Sequence, residues 1–89
     1  MEFSYKDTET AIIIYVYGML DIQRSAKIDS GLEHLVSSEP GRDFILNLKD
    51  MDYSSSAGHG IFINMLGILN KSGRKLVFCN LNEQVRRVF

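Results

Sequence analysis

The chain predicts an α/β fold: a four-stranded mixed sheet with helices packed mainly on one face. Three observations carry this. Apolar patterns of strand and helix type follow one another in the order β-β-α-β-α-β. The first two strand patterns are separated only by the short polar turn Asp7-Thr8-Glu9-Thr10, which makes them an antiparallel hairpin. The later strands are each reached through a helix, and such crossovers between parallel strands are right-handed almost without exception. Two successive crossovers in one direction place both helices on the same side of the sheet.

Each element has its own warrant. Glu2 to Lys6 alternates weakly, with Phe3 and Tyr5 on one side, and reads as an edge strand. Ala11 to Tyr17 is rich in β-branched and aromatic residues with apolar character on both faces, the pattern of a central strand, and Gly18 ends it. Asp21 to Ser25 is a polar approach to a helix, with Ser25 as candidate cap. Ile28, Leu32, Leu35 and Val36 form the buried face, while Lys27, Asp29, Ser30 and Glu33 are solvated. Gly31 weakens this helix slightly. Ser37-Ser38-Glu39-Pro40-Gly41 ends it with the only proline of the chain. Phe44 to Leu48 is the third strand. A second helix runs from about Ala57 to Ser72, Ser72-Gly73 closes it, and Lys75 to Cys79 is the fourth strand. Asn80 starts a last turn, and Leu81, Val85, Val88 and Phe89 follow with helical spacing.

Composition bounds the function. The 89 residues make one domain, 1–89, and an apolar content of 45% is enough for a packed core. A net charge of −1 argues against binding to a nucleic-acid backbone. A single cysteine, Cys79, excludes an internal disulfide framework and fits a reducing compartment. No apolar run reaches the roughly 18 residues of a membrane span. Met1-Glu2-Phe3-Ser4 has no signal-peptide character, so the expected location is cytoplasmic.

The chemistry gathers at residues 52–60, Asp52-Tyr53-Ser54-Ser55-Ser56-Ala57-Gly58-His59-Gly60, where a strand hands over to a helix. The unpaired N–H groups and positive dipole end of a helix start suit a serine cap, and equally a phosphate. On spacing alone a cap or loop serine is the simpler reading. The pattern of small residues two before and two after Ser56 is also that of a hydrolase nucleophile elbow. That chemistry needs an acid and then a histidine downstream. Only His59 and Glu83 follow, in the wrong order, and the chain is too short. Gly58-His59-Gly60 lacks the lysine and spacing of a nucleotide-binding P-loop, so no cofactor is expected. His34, His59 and Cys79 do not have metal-site spacing. His34 is expected to be partly exposed on its helix, and Cys79 to be a small buried residue.

Three stretches together resemble the STAS domain of bacterial anti-sigma factor antagonists. They are Gly18-Met19-Leu20-Asp21 (G-x-L-D), Ser55-Ser56-Ala57-Gly58 (S-S-A-G), and the run from Asn80 to Phe89 rich in asparagine and arginine. The resemblance covers the whole chain. It implies that a partner serine kinase, itself an anti-sigma factor, phosphorylates Ser56, and that a serine phosphatase reverses this. Asp21 is implied to lie beside the loop and shape the kinase-facing surface. Ser55, where other members have aspartate, is placed to orient the Ser56 hydroxyl. His59 stands where the family usually has leucine; its plain reading is a partly exposed helix residue, and the alternative is contact with the partner or with a phosphate on Ser56. Asn47 stands where many members have aspartate, a mild departure because either side chain accepts a hydrogen bond. The resemblance makes the domain a substrate and binding module, not an enzyme. An adaptor role in a stressosome-like or transport complex is the alternative. Family members continue further, so the C-terminal helix starting near Asn82 is expected to be truncated, with self-association as a homodimer covering the surface left open.

Helix geometry adds a partner surface. At about 100° per residue, Gly60, Asn64, Gly67 and Lys71 form one stripe of the second helix, with Ile63 at its margin. Ala57, Ile61, Phe62, Met65, Ile68 and Leu69 spread over the opposite side and should face the sheet. Geometry thus gives Ser56, Gly60, Ile63, Asn64 and Gly67 as a candidate partner surface, and the resemblance adds Asp21, Ser55, Gly58 and His59 to the partner-binding set.

Overall fold

The computed structural model describes residues 3–54 and 56–80, with the side chains at 53, 54, 56 and 57 excepted. The elements are β1 (Phe3–Asp7), β2 (Ala11–Val16), β3 (Gly18–Leu20), α1 (Ile22–Ser38), β4 (Asp43–Asn47), β5 (Met51–Ser54), α2 (Ser56–Lys71) and β6 (Leu76–Cys79). Four strands form the main sheet in the order β1-β2-β4-β6, with β1 antiparallel to β2 and the remaining pairs parallel. This is the mixed sheet expected from the sequence, with β2 inside it. The hairpin is closed by Thr8, whose N–H donates to the Ala11 carbonyl at 3.0 Å while its hydroxyl accepts from Ala11 N at 3.1 Å.

One face of this sheet carries the core. Register sets Phe3 beside Val16 and aligns Ile14 with Leu46 and Phe78, and Ile12 with Phe44 and Leu76. Onto this face pack Ile28, Leu32, Leu35 and Val36 of α1, and Ile61, Phe62, Met65 and Leu69 of α2. Phe62 meets Phe78 edge to face, ring centroids 6.1 Å apart. Each such side chain withdrawn from water contributes roughly 1.5–3 kcal/mol, which is why the apolar periodicity of the two helices was informative. On the opposite face, Ile13, Ile45 and Val77 stand side by side, and Val77 is exposed. Cys79 belongs to that less covered face, level with Asn47, and is half-buried rather than buried as expected.

Two arginines hold loops that no local pattern foretold. Arg74 donates to the carbonyls of Val36 (3.2 Å) and Glu39 (3.1 Å), and so supplies donors to the C-terminal end of α1. Arg42 pairs with Asp7 at 2.6 Å and also donates to the Thr8 carbonyl. The Asp7 carboxylate, mainly through that hydrogen bond, raises the Arg42 pKa above its usual value. Asn47 Oδ1 accepts from Lys49 N at 3.0 Å and from Asn80 Nδ2 at 3.3 Å, so the amide does serve as the acceptor expected of that position. The helix expected from Asn82, with its Val85, Val88 and Phe89 face, lies outside the described residues.

Candidate functional site at the end of two short parallel strands

The site is built on a pair of short strands that the sequence reading did not include. β3 and β5 run parallel, with Gly18 opposite Met51, Met19 opposite Tyr53 and Leu20 opposite Ser54. Residues 51–54, read as loop, are therefore strand. Gly18 does not simply end β2; it opens β3. Its φ of +79° is a conformation natural to glycine, its N–H donates to the Asp50 carbonyl at 2.9 Å, and the register shifts between Gly18 and Met19. An added Cβ would lie 3.1 Å from Arg24 Nη1. The Arg24 guanidinium donates to the carbonyls of Met19 and Tyr17, bracing this turn from the first turn of α1.

The consequence is positional. Neighbouring strands lie about 4.8 Å apart. The chain leaves β3 into Asp21 and leaves β5 into position 55 at the same end of this pair. Asp21, which follows β3, is thus at the same end of the pair as Ser54, the last residue of β5. Its backbone is extended, and its carboxylate Oδ1 accepts the Arg24 N–H at 2.8 Å, which makes it the N-cap of α1. Ser25 is not the cap. It is buried one turn inside the helix, and its hydroxyl donates to the Asp21 carbonyl at 2.5 Å. The Asp21 cap starts the helix earlier than expected, and periodicity did not show it because its first residue, Ile22, is 73% exposed and stands outside the apolar face.

Ser56 begins α2, in the first turn, where backbone N–H groups lack intrahelical partners. Ser55 lies outside the described residues. Further along α2, Gly60, Asn64, Gly67 and Lys71 are all exposed, and Ile63 is 56% exposed. A Cβ added at Gly60 or Gly67 would meet nothing within 4 Å. Gly58 is buried and His59 half-buried, so Gly60 and Gly67 are the glycines of this set that offer open surface. Two exposed apolar side chains not singled out from the sequence, Met19 and Ile22, flank Asp21 in the chain. Large apolar residues at strand and helix ends look like core candidates in sequence; only their burial separates them. Among the described residues, no group of three His, Cys, Asp or Glu side chains is placed to hold a metal ion, and no helix is long and apolar enough to cross a membrane.

The fold and this site define an α/β domain in which one helix starts at a serine and the neighbouring helix at a capping aspartate. The model of the STAS domain family matches residues 2–89, and the chain belongs to that family. It is 31% identical over 84 residues to the anti-sigma-B factor antagonist of Bacillus subtilis (strain 168), an alignment covering 94% of this chain and 75% of that protein. The anti-sigma factor antagonist SpoIIAA in its unphosphorylated form has the same fold, with a TM-score of 0.84, 19% identity, and coverage of 98% of this chain and 76% of that one. The Bacillus cell fate determinant SpoIIAA in its phosphorylated form matches with a TM-score of 0.80 and 19% identity over 98% of this chain and 79% of that one.

Proposed function

We propose that this chain is an anti-sigma factor antagonist whose binding is switched off by phosphorylation of Ser56. The observation that carries the reading is the juxtaposition built by the β3–β5 pair. It sets an exposed carboxylate, Asp21, next to the start of α2, at the head of an exposed helix stripe with two open glycines. The relationship to the anti-sigma-B factor antagonist supports it.

In the unphosphorylated state the domain binds an anti-sigma factor that is also a serine kinase, and this frees the sigma factor. Gly60 and Gly67 let the partner approach the α2 backbone, and Ile63 and Asn64 supply apolar and polar contact. Asp21, Ser55 and His59 complete the surface around the acceptor, while the buried Gly58 lies beneath it. The kinase then transfers a phosphoryl group to the Ser56 hydroxyl, adding about −1.5 to −2 charges. The helix N-terminus accommodates that charge, so the fold need not change. SpoIIAA retains this fold in its phosphorylated form. Release comes from repulsion and desolvation at the interface. A serine phosphatase resets the switch, and the domain itself is a substrate without catalytic activity. The remaining expectations belong to the same proposal: a cytoplasmic location, a single domain over 1–89, and a second copy of the chain as a further partner.

The experiment is a binding measurement with candidate anti-sigma serine kinases. Wild type and Ser56→Ala should bind alike, and the phosphorylated form should bind at least tenfold more weakly. Equal binding of the phosphorylated and unphosphorylated chains would rule the switch out.

A further inference from the structure

A second site lies away from the serine loop, in a groove of about 300 Å³ between β1 and α1. Its origin is geometric. Tyr5 pairs in register with Ile14, so it points to the helix-covered side of the sheet. Ile14 is buried, but β1 is the edge strand and Tyr5 remains 47% exposed, past the reach of the helices. Phe3, two residues earlier, is buried because α1 comes close at Gly31. An added Cβ there would stand 2.7 Å from the Phe3 ring. A glycine inside a helix costs about 1 kcal/mol relative to alanine. Here that cost seats Phe3 and leaves the groove beside it.

The lining has one chemical character. Phe3, Tyr5 and Leu35 make apolar walls. The helix side is a single stripe, Lys27, Gly31, His34 and Ser38, at helical spacing. Among the described residues it offers one fixed cation and one imidazole, and no carboxylate lines the groove. The acids of α1 point elsewhere: Asp29 and Glu33 are each about 200° around the helix from Gly31, and Asp29 lines a different groove, toward Ile61. Among the described residues Lys27 has no ion pair. Lys27 and His34 are about 10 Å apart along the axis. The volume is at the small end of ligand sites.

We propose that this groove binds a small amphiphilic carboxylate, its apolar chain lying over Gly31 against Phe3, Tyr5 and Leu35 and its head group on the Lys27 ammonium. The site is independent of the serine switch and of the partner proposed for it. Octanoate is the probe, with 1-octanol and octylammonium as neutral and cationic counterparts, followed by backbone amide NMR on the full chain. Octanoate should give saturable shifts centred on Lys27, Gly31 and His34. 1-Octanol should bind about ten- to a hundredfold more weakly, the loss expected for a charged hydrogen bond, and octylammonium not measurably. Lys27→Glu, at an exposed position, should fold normally and weaken octanoate by a similar factor. The proposal is overturned if octanoate gives no saturable shifts, if 1-octanol binds equally well, or if Lys27→Glu leaves octanoate binding unchanged.

Discussion

Asp21 is asked to do two things at once, and two substitutions separate them. As N-cap, its carboxylate accepts the Arg24 N–H at 2.8 Å, and α1 has no other acid in its first turn. Asp21→Ala removes both the acceptor and the charge facing the helix dipole. N-cap losses run from about 0.5 to 2 kcal/mol. Because Asp21 is exposed, water partly replaces the lost acceptor, and a cost near 1 kcal/mol is expected. For a domain of this size, that lowers Tm by about 4–8 °C. Asp21→Asn keeps the acceptor and gives up only the charge–dipole part, about 0.3–1 kcal/mol. That smaller loss should shrink in 1 M salt, where the Debye length falls to about 3 Å. Thermal and urea unfolding at low and high salt measure both effects. Equal stability of Asp21→Ala and wild type would refute the capping argument. So would an Asp21→Asn loss as large as that of Asp21→Ala and insensitive to salt. With the fold thus controlled, Asp21→Asn reports on the partner surface: weaker kinase binding by a stable Asp21→Asn chain assigns the charge to the interface.

Two further outcomes follow from glycines in opposite environments. Gly31→Ala gains about 1 kcal/mol in helix propensity but drives a methyl to 2.7 Å from the Phe3 ring. Overpacking of this kind costs about 1–3 kcal/mol, so the net is expected to be destabilising, and a raised urea midpoint would show that the ring moves aside freely. Gly67→Arg meets open space and should leave the circular dichroism and melting of the fold unchanged while blocking partner binding. Normal binding by this variant, or an unfolded spectrum, would contradict the surface assigned to α2.

The parts of this molecule legible in its sequence are those set by burial over several turns or strands. Ile28, Leu32, Leu35 and Val36, and Ile61, Met65 and Leu69, repeat at helical spacing because one face of each helix meets one sheet. The same arithmetic that places them inside leaves Gly60, Asn64, Gly67 and Lys71 outside. β3 and β5 were not legible because Gly18-Met19-Leu20 and Met51-Asp52-Tyr53-Ser54 lack the continuous apolar run that marks the equally short β6. The motif Gly18-Met19-Leu20-Asp21 indicated where Asp21 goes without indicating the strand that carries it there. Ser25 and Asp21 belong to the same capping class of residues, and an exposed Ile22 removed the cue that would have chosen between them. Arg24, Arg42 and Arg74 act on backbone carbonyls of other segments, and a lone arginine in a sequence carries no sign of which carbonyl it will find.

The central claim is that Ser56 receives the phosphate. Incubation of the chain with an anti-sigma serine kinase that binds it, and ATP, followed by intact mass and peptide mapping, tests this most directly. One added phosphate on Ser56, absent from Ser56→Ala, is the predicted result. A phosphate mapped to Ser54 or Ser55, or a binding kinase that leaves the chain unmodified, would contradict it.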